Sequence, residues 1–251
     1  MAEPIIAVMK RYELKYILSA SQREFLTKEL ESHMQVDQYG ETSIASLYYD
    51  TLDYRLIRSS IEKPPYKEKI RLRSYGLATD ESPVFLELKR KFDGVVYKRR
   101  VQTTIPVVER FFLGEGKVPA DGQIAREISY FRDFYGTLVP GCLIIYARVA
   151  YKETHGDLRL TIDGNPRYRV DRLDLKTSME GTSLLPEGSS ILEVKVQQAM
   201  PLWLTRILDQ AHILKTSFSK YGEAYKAQAS RLLTERTSPW TTSSIRSSQA
   251  Q

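Results

Sequence analysis

Eight short segments of this chain alternate apolar and charged residues with a period of two, around 9–17, 44–50, 67–75, 84–91, 95–105, 143–152, 158–163 and 190–197. Residues two apart on a strand share a face, so each segment reads as a β-strand with one apolar side and one charged side. Lys69, Arg71 and Arg73 share a face opposite Ile70 and Leu72, and Glu87, Lys89 and Lys91 stand opposite Leu86 and Leu88. Arg11, Glu13 and Lys15 form another such row, as do Lys98 and Arg100. Arg148 stands alone among apolar neighbours, Arg159, Thr161 and Asp163 align, and Glu193 aligns with Lys195. Any half-buried antiparallel strand has a wet face, so one such segment means little. The set is more telling: its charged faces carry twelve basic residues and four acidic ones, whereas the whole chain has 37 Lys plus Arg against 31 Asp plus Glu.

Eight strands can remove their exposed edges by closing on themselves. The expectation is an α+β fold: a closed eight-stranded antiparallel β-barrel, a tunnel with a charged lumen, and helices packed outside. Four helices are legible. Ser21 and Glu24 suggest a capping box for a helix reaching Met34 with Phe25, Leu26 and Leu30 on one face. Ile124, Ile128, Phe131 and Tyr135 recur at helical spacing, and Pro201 suits the first position of a helix that buries Leu204, Ile207, Leu208, Ala211 and Leu214. A last helix is predicted from about Lys220 to Leu233. All of this reads as one domain over 1–233, followed by a Ser/Thr-rich tail over 234–251 predicted to be disordered.

A lumen of cations is costly when empty: two of them ~6 Å apart repel by roughly 3 kcal/mol at an effective dielectric near ~20. A threaded polyanion removes that repulsion and gains charge-assisted hydrogen bonds, and phosphate suits better than carboxylate because its charge repeats along a chain. Glu13, Glu87, Asp163 and Glu193 are then either counter-ions or, in part, ligands of Mg²⁺ or Mn²⁺. Glu193 is the first choice of ligand and Glu13 the second, because one or two carboxylates plus substrate phosphates commonly hold such ions.

Other chemistries are less well supported. Lone Cys142, in the apolar run Cys142-Leu143-Ile144-Ile145, reads as a buried small hydrophobe; no disulfide framework or thiolate zinc site can be built, and His33, His155 and His212 are not spaced as a metal pair. There is no Gly-rich Walker loop and no G-x-G-x-x-G. A nucleic-acid partner would need its cations on an outer surface, so none is expected despite the net charge of +6. No apolar stretch approaches the ~20 residues of a membrane span, and a cytoplasmic location is expected.

The ordered set Arg11-Tyr12-Glu13-Leu14-Lys15-Tyr16, Ser46-Leu47-Tyr48-Tyr49-Asp50-Thr51, Lys69-Ile70-Arg71-Leu72-Arg73-Ser74-Tyr75-Gly76 and Leu86-Glu87-Leu88-Lys89 resembles the vacuolar transporter chaperone (VTC) domain. So do Tyr146-Ala147-Arg148-Val149-Ala150-Tyr151, Arg159-Leu160-Thr161-Ile162-Asp163, Leu192-Glu193-Val194-Lys195 and Phe218-Ser219-Lys220-Tyr221. That family belongs to the triphosphate tunnel metalloenzymes. The resemblance implies an ATP-dependent polyphosphate polymerase that uses Mn²⁺ or Mg²⁺ and transfers the γ-phosphate of ATP to a growing chain. It implies phosphate contacts from Lys15, Arg71, Arg73, Lys89, Arg148, Arg159 and Lys195, the residues expected to act in transfer. Lys220 and either Lys98 or Arg100 would add further phosphate contacts, and Arg11, Lys69 and Lys91, on the same charged faces, are also expected to bind phosphate. Glu193 is the implied metal ligand. Hydrolytic relatives typically begin with Glu-x-Glu-x-Lys, whereas this chain has Arg11-x-Glu13-x-Lys15, which tilts the expectation from hydrolysis of triphosphate or nucleoside triphosphates toward polymerisation. A non-catalytic polyphosphate-binding module is the third reading, and association with a separate membrane protein is left open.

Overall fold

The computed structural model describes residues 12–237, save 94, 119, 155 and 198. The eight expected strands are present: β1 (Tyr12–Leu18), β2 (Met34–Asp50), β3 (Tyr66–Tyr75), β4 (Val84–Phe92), β5 (Val95–Thr103), β6 (Val139–Glu153), β7 (Arg159–Arg169) and β9 (Ser190–Val196). Two-residue strands β8 (Thr182–Ser183) and β10 (Lys215–Thr216) join them. Six helices complete the described residues: α1 (Ala20–Leu30), α2 (Arg55–Glu62), α3 (Ile105–Phe112), α4 (Gly122–Tyr135), α5 (Leu202–Gln210) and α6 (Lys220–Thr237). The rest of the Ser/Thr-rich tail, 238–251, lies outside the described residues, as does Arg11.

The ten strands form one antiparallel sheet in the order β10-β1-β9-β7-β6-β2-β3-β4-β5, with β8 paired to β7. The sheet does not close, contrary to the expectation of a barrel. Its free edges are β5 and β10, and no pairing joins them among the described residues. Closure needs edges of compatible length and stagger. Here nine-residue β5 would have to pair with the two residues of β10, which are confined between the turn at His212 and the start of α6 at Lys220. Strand count alone could not show this.

The sheet is nevertheless strongly rolled. β1 and β4 lie six steps apart in the strand order, which would place them ~29 Å apart if the sheet were flat. Yet Lys89 Nζ on β4 reaches Glu13 Oε2 on β1 at 3.3 Å. The concave face is thus a trough whose two sides are bridged, one strand in from each free edge, by side chains instead of backbone hydrogen bonds.

Its convex face is apolar and helix-covered. Leu47, Ile70, Leu72, Leu86, Leu88, Leu143 and Ile145 pack with Val108 and Phe111 of α3 and Ile128 and Phe131 of α4. Leu18, Leu160, Ile162, Leu192 and Val194 pack with Leu26 and Leu30 of α1 and Leu204 and Leu208 of α5. The expectation that all helices lie outside needs correction, because α2 and α6 sit on the concave side. Ile44, Tyr48, Ile144 and Tyr146, which share a face with the charged residues, form an apolar cluster with Ile57 of α2 and Tyr221 and Ala224 of α6. Gly141 permits this approach, since a Cβ there would lie 3.1 Å from the Tyr221 hydroxyl. Asp50, fully buried, fastens both helices: it accepts from the backbone N–H groups of Leu56 and Ile57 and from the Tyr221 hydroxyl. Helix α1 also starts two residues earlier than expected, with Ser19 and Gln22 forming its capping box, and Met34 opens β2 instead of ending the helix.

Candidate functional site

The concave face encloses a cavity of about 600 Å³. Strand alternation carries Lys69, Arg71 and Arg73 of β3, Glu87 and Lys89 of β4, Lys98 of β5, Glu13 and Lys15 of β1, Arg148 of β6, and Glu193 and Lys195 of β9 to its wall. Lys220 enters from the first turn of α6. Arg159 shares this face and lies opposite Lys195 in register, but it is exposed at the trough's end and outside the cavity wall. Lys91 lines a second cavity of about 480 Å³, which shares Glu13, Lys15, Lys69 and Lys89 with the first.

Three acidic foci balance these cations. Glu87 is 1% exposed and faces both Arg71 and Lys98, at 2.8 and 2.7 Å. Arg73 and Arg100 stand farther off, at 3.6 and 3.7 Å. Both alternatives at 98 and 100 therefore reach the same carboxylate, and Lys98 is the one in the cavity wall. Burial opposes charge on Glu87, but Arg71, Arg73 and Lys98 outweigh it and hold its carboxyl at about 2. Asp163 is the second focus. It takes a two-pronged contact from Arg148, with Nε at 2.6 Å and the other guanidinium nitrogen at 2.7 Å, and pairs with Lys220.

Glu13 and Glu193 make the third focus. Lys15 Nζ lies between them, 3.4 Å from Glu13 and 3.2 Å from Glu193, while Lys195 stands 3.4 Å from Glu193. Burial opposes charge on Glu193, yet Lys15, Lys195, Lys220 and Arg148 keep it well below the usual carboxylate range. Glu13 is pushed up by burial and by Glu193 itself, and is held down overall by Lys89, Lys15 and Lys195. Two carboxylates close enough to repel through one shared ammonium can also share a divalent cation. Among the described residues no group of three or more His, Cys, Asp or Glu could do so, so phosphate oxygens would have to complete the coordination.

Lys69 has no acidic partner among the described residues; burial, with Lys89, Arg71 and Lys15 nearby, brings its ammonium down to about 8 although the Tyr48 phenol favours its charge. Tyr48 is the complement. Burial raises its phenol, but Arg71, Lys69 and Arg73 pull it down to about 8, and its hydroxyl accepts from Arg71 at 2.8 Å. Tyr146 similarly lies under Lys220 and Arg148, at 4.5 and 5.1 Å from its ring centre. Neither tyrosine was singled out as a site residue from sequence. The period-two rule that placed Arg71 and Arg148 on the concave face could have placed Tyr146, two before Arg148, there as well. The second cavity differs in kind: Lys63, Lys67, Lys91 and Lys215 around it form no ion pair among the described residues.

The family model described as the VTC domain matches residues 10–228. A Bacillus halodurans protein described as a candidate adenylate cyclase superposes with a TM-score of 0.51 at 14% identity, covering 84% of this chain and 96% of its own. HpAC1 of Hippeastrum, a candidate adenylyl cyclase described as having a dominant triphosphatase activity, gives 0.50 at 18% identity, covering 86% and 95%. No curated protein matches the chain. The structural likenesses concern fold: a triphosphate-tunnel fold, here with an unclosed sheet. No helix among the described residues is long and apolar enough to cross a membrane.

Proposed function

Because the chain belongs to the VTC-domain family, we propose that it lengthens inorganic polyphosphate, transferring the γ-phosphate of ATP to the end of a chain lying in the trough. The observation that carries this is the joining of two cavities whose walls are both dominated by cations. In the first, most cations pair with Glu87, Glu13, Glu193 or the adjoining Asp163; in the second, which Glu68 and Glu223 also line, Lys63, Lys67, Lys91 and Lys215 form no ion pair among the described residues. Arg71, Arg73 and Arg148 have planar forks suited to orienting the triphosphate and to spreading over the charge of the transferring group. The lysines beyond Lys69 and Lys89 are point charges that attract a polyanion without fixing its register, as an acceptor that advances after each addition requires.

No side chain need act as a nucleophile, since the terminal oxygen of the acceptor can attack directly once aligned with the γ-phosphorus, as the bond to the β–γ bridging oxygen breaks and ADP leaves. Glu193 and Glu13 would hold Mn²⁺ or Mg²⁺, which when bound supplies charge neutralisation at the phosphate oxygens. Lys15, between those carboxylates, keeps both ionised, and Lys98 and Arg71 do the same for Glu87. Arg11, the non-acidic first position of its motif, supports transfer to phosphate over transfer to water.

Hydrolysis of triphosphate or nucleoside triphosphates is the second reading, favoured by the activity described for HpAC1. The test is a gel-resolved product assay with ATP and Mn²⁺ on wild type, Arg71→Ala and Glu193→Ala. Chains of many phosphates, lost in both variants, are expected. Orthophosphate as the sole product would make the protein a triphosphatase, and binding without turnover would leave a polyanion-binding module.

A further inference from the structure

Along β3 the concave face reads Tyr75, Arg73, Arg71, Lys69, Lys67, and along β4 it reads Phe85, Glu87, Lys89, Lys91. The trough is thus chemically polar along its length, with lysines at one end, arginines in the middle and aromatic rings at the other. Tyr75 is 46% exposed, although Arg73 beside it on the same face is buried. It meets Phe85 edge-on at 5.7 Å, and the Arg100 guanidinium lies 3.7 Å from the Phe85 ring centre while donating to the Tyr75 hydroxyl at 3.2 Å. The three side chains form a braced platform on the trough's face just beyond the cavity wall, one same-face step past Arg73, with an open tyrosine ring and a planar cation.

We propose that this platform of Tyr75, Phe85 and Arg100 receives the purine base of the nucleoside triphosphate, so that the nucleotide enters at the aromatic end and the phosphate chain occupies the lysine end. Each same-face step on a strand is ~7 Å, so Tyr75 stands one step beyond Arg73. That offset leaves room for a ribose between a base stacked on the ring and phosphates held by Arg71 and Arg73. Aromatic rings and guanidinium planes stack on any base, so the platform favours nucleotides over inorganic phosphates without selecting strongly among bases. Charge alone cannot favour the nucleotide, because inorganic tripolyphosphate has one more ionisable oxygen than the esterified triphosphate of ATP. The inference rests on the reading that a nucleoside triphosphate is the phosphate donor.

The test is titration calorimetry of ATP and of tripolyphosphate into wild type, Tyr75→Ala and Tyr75→Trp. The expected result is that Tyr75→Ala weakens ATP by about tenfold, the loss of roughly one stacking contact. Tripolyphosphate affinity should stay within about twofold, which also shows that the variant folds, and Tyr75→Trp should keep or improve ATP affinity. Equal weakening of both ligands, or none of either, overturns the platform. A wild type that meets every binding expectation yet makes no phosphate chains supports the platform while refuting polymerisation.

Discussion

Glu87→Gln tests the electrostatic account most severely. Glu87 is buried, and Arg71, Arg73 and Lys98 all converge on it. Removing its charge while keeping its shape leaves those cations facing one another with no anion between them. Breaking a buried pair in this way costs about 3–5 kcal/mol. A second route agrees: lowering the carboxyl from 4.5 to about 2 corresponds to about 3 kcal/mol. The sign follows from linkage. The folded carboxyl releases its proton more readily than the unfolded one, so its contribution is complete above about pH 4.5 and vanishes as pH falls through about 2. Urea denaturation at pH 7 should show Glu87→Gln less stable by about 3 kcal/mol, with the gap closing in acid. Tripolyphosphate should then raise the melting temperature of the variant more than that of wild type, since the ligand replaces the missing anion. A variant within about 1 kcal/mol of wild type at pH 7, or a gap that persists at pH 2, would refute the reasoning.

Lys69, Lys98 and Tyr48 all titrate at about 8 in the folded protein, so tripolyphosphate affinity measured by calorimetry should fall between pH 7 and pH 9, when two cations are lost and a phenolate gained. The triple variant Lys69→Arg, Lys98→Arg, Tyr48→Phe should flatten that profile; an unchanged slope would show that these groups do not face the ligand. In Glu193→Gln, metal-free tripolyphosphate affinity should rise, because Lys195 loses its counter-ion and Lys15 and Arg148 keep only Glu13 and Asp163. Added Mn²⁺ should no longer tighten binding in that variant, whereas a retained Mn²⁺ effect would place the metal elsewhere. Asp50→Ala strands three backbone donors and the Tyr221 hydroxyl and should cost about 3 kcal/mol or more in urea melts. It should also weaken tripolyphosphate binding by loosening the seat of Lys220, and wild-type stability in this variant would mean that Asp50 does not fasten α2 and α6.

Period-two alternation was a strong guide because a strand's side-chain directions are fixed by its backbone. It placed Arg71, Glu87, Lys89 and Glu193 on one face of the sheet, where the structure has them. What alternation could not convey is how the ends of a sheet meet. The two-residue β10 has no sequence signature, so an open, rolled sheet and a closed barrel look the same from the strands alone. Helix α2 was missed because its start is set by Asp50 reaching forward to Leu56 and Ile57 instead of by a local cap. Helix α6 was expected, but its place inside the roll depends on Gly141 and Tyr221, which meet only in the fold. Arg159 shows the opposite limit: face assignment is right along a strand, but a residue near the strand's end can share the face and still lie outside the cavity.

The most direct measurement is a crystal structure of the protein with a non-hydrolysable ATP analogue and Mn²⁺, located by its anomalous scattering. The account predicts the triphosphate against Arg71, Arg73 and Arg148, an anomalous peak beside Glu193 and Glu13, and the base at Tyr75. A triphosphate bound on the convex face, or a manganese peak away from both glutamates, would contradict it.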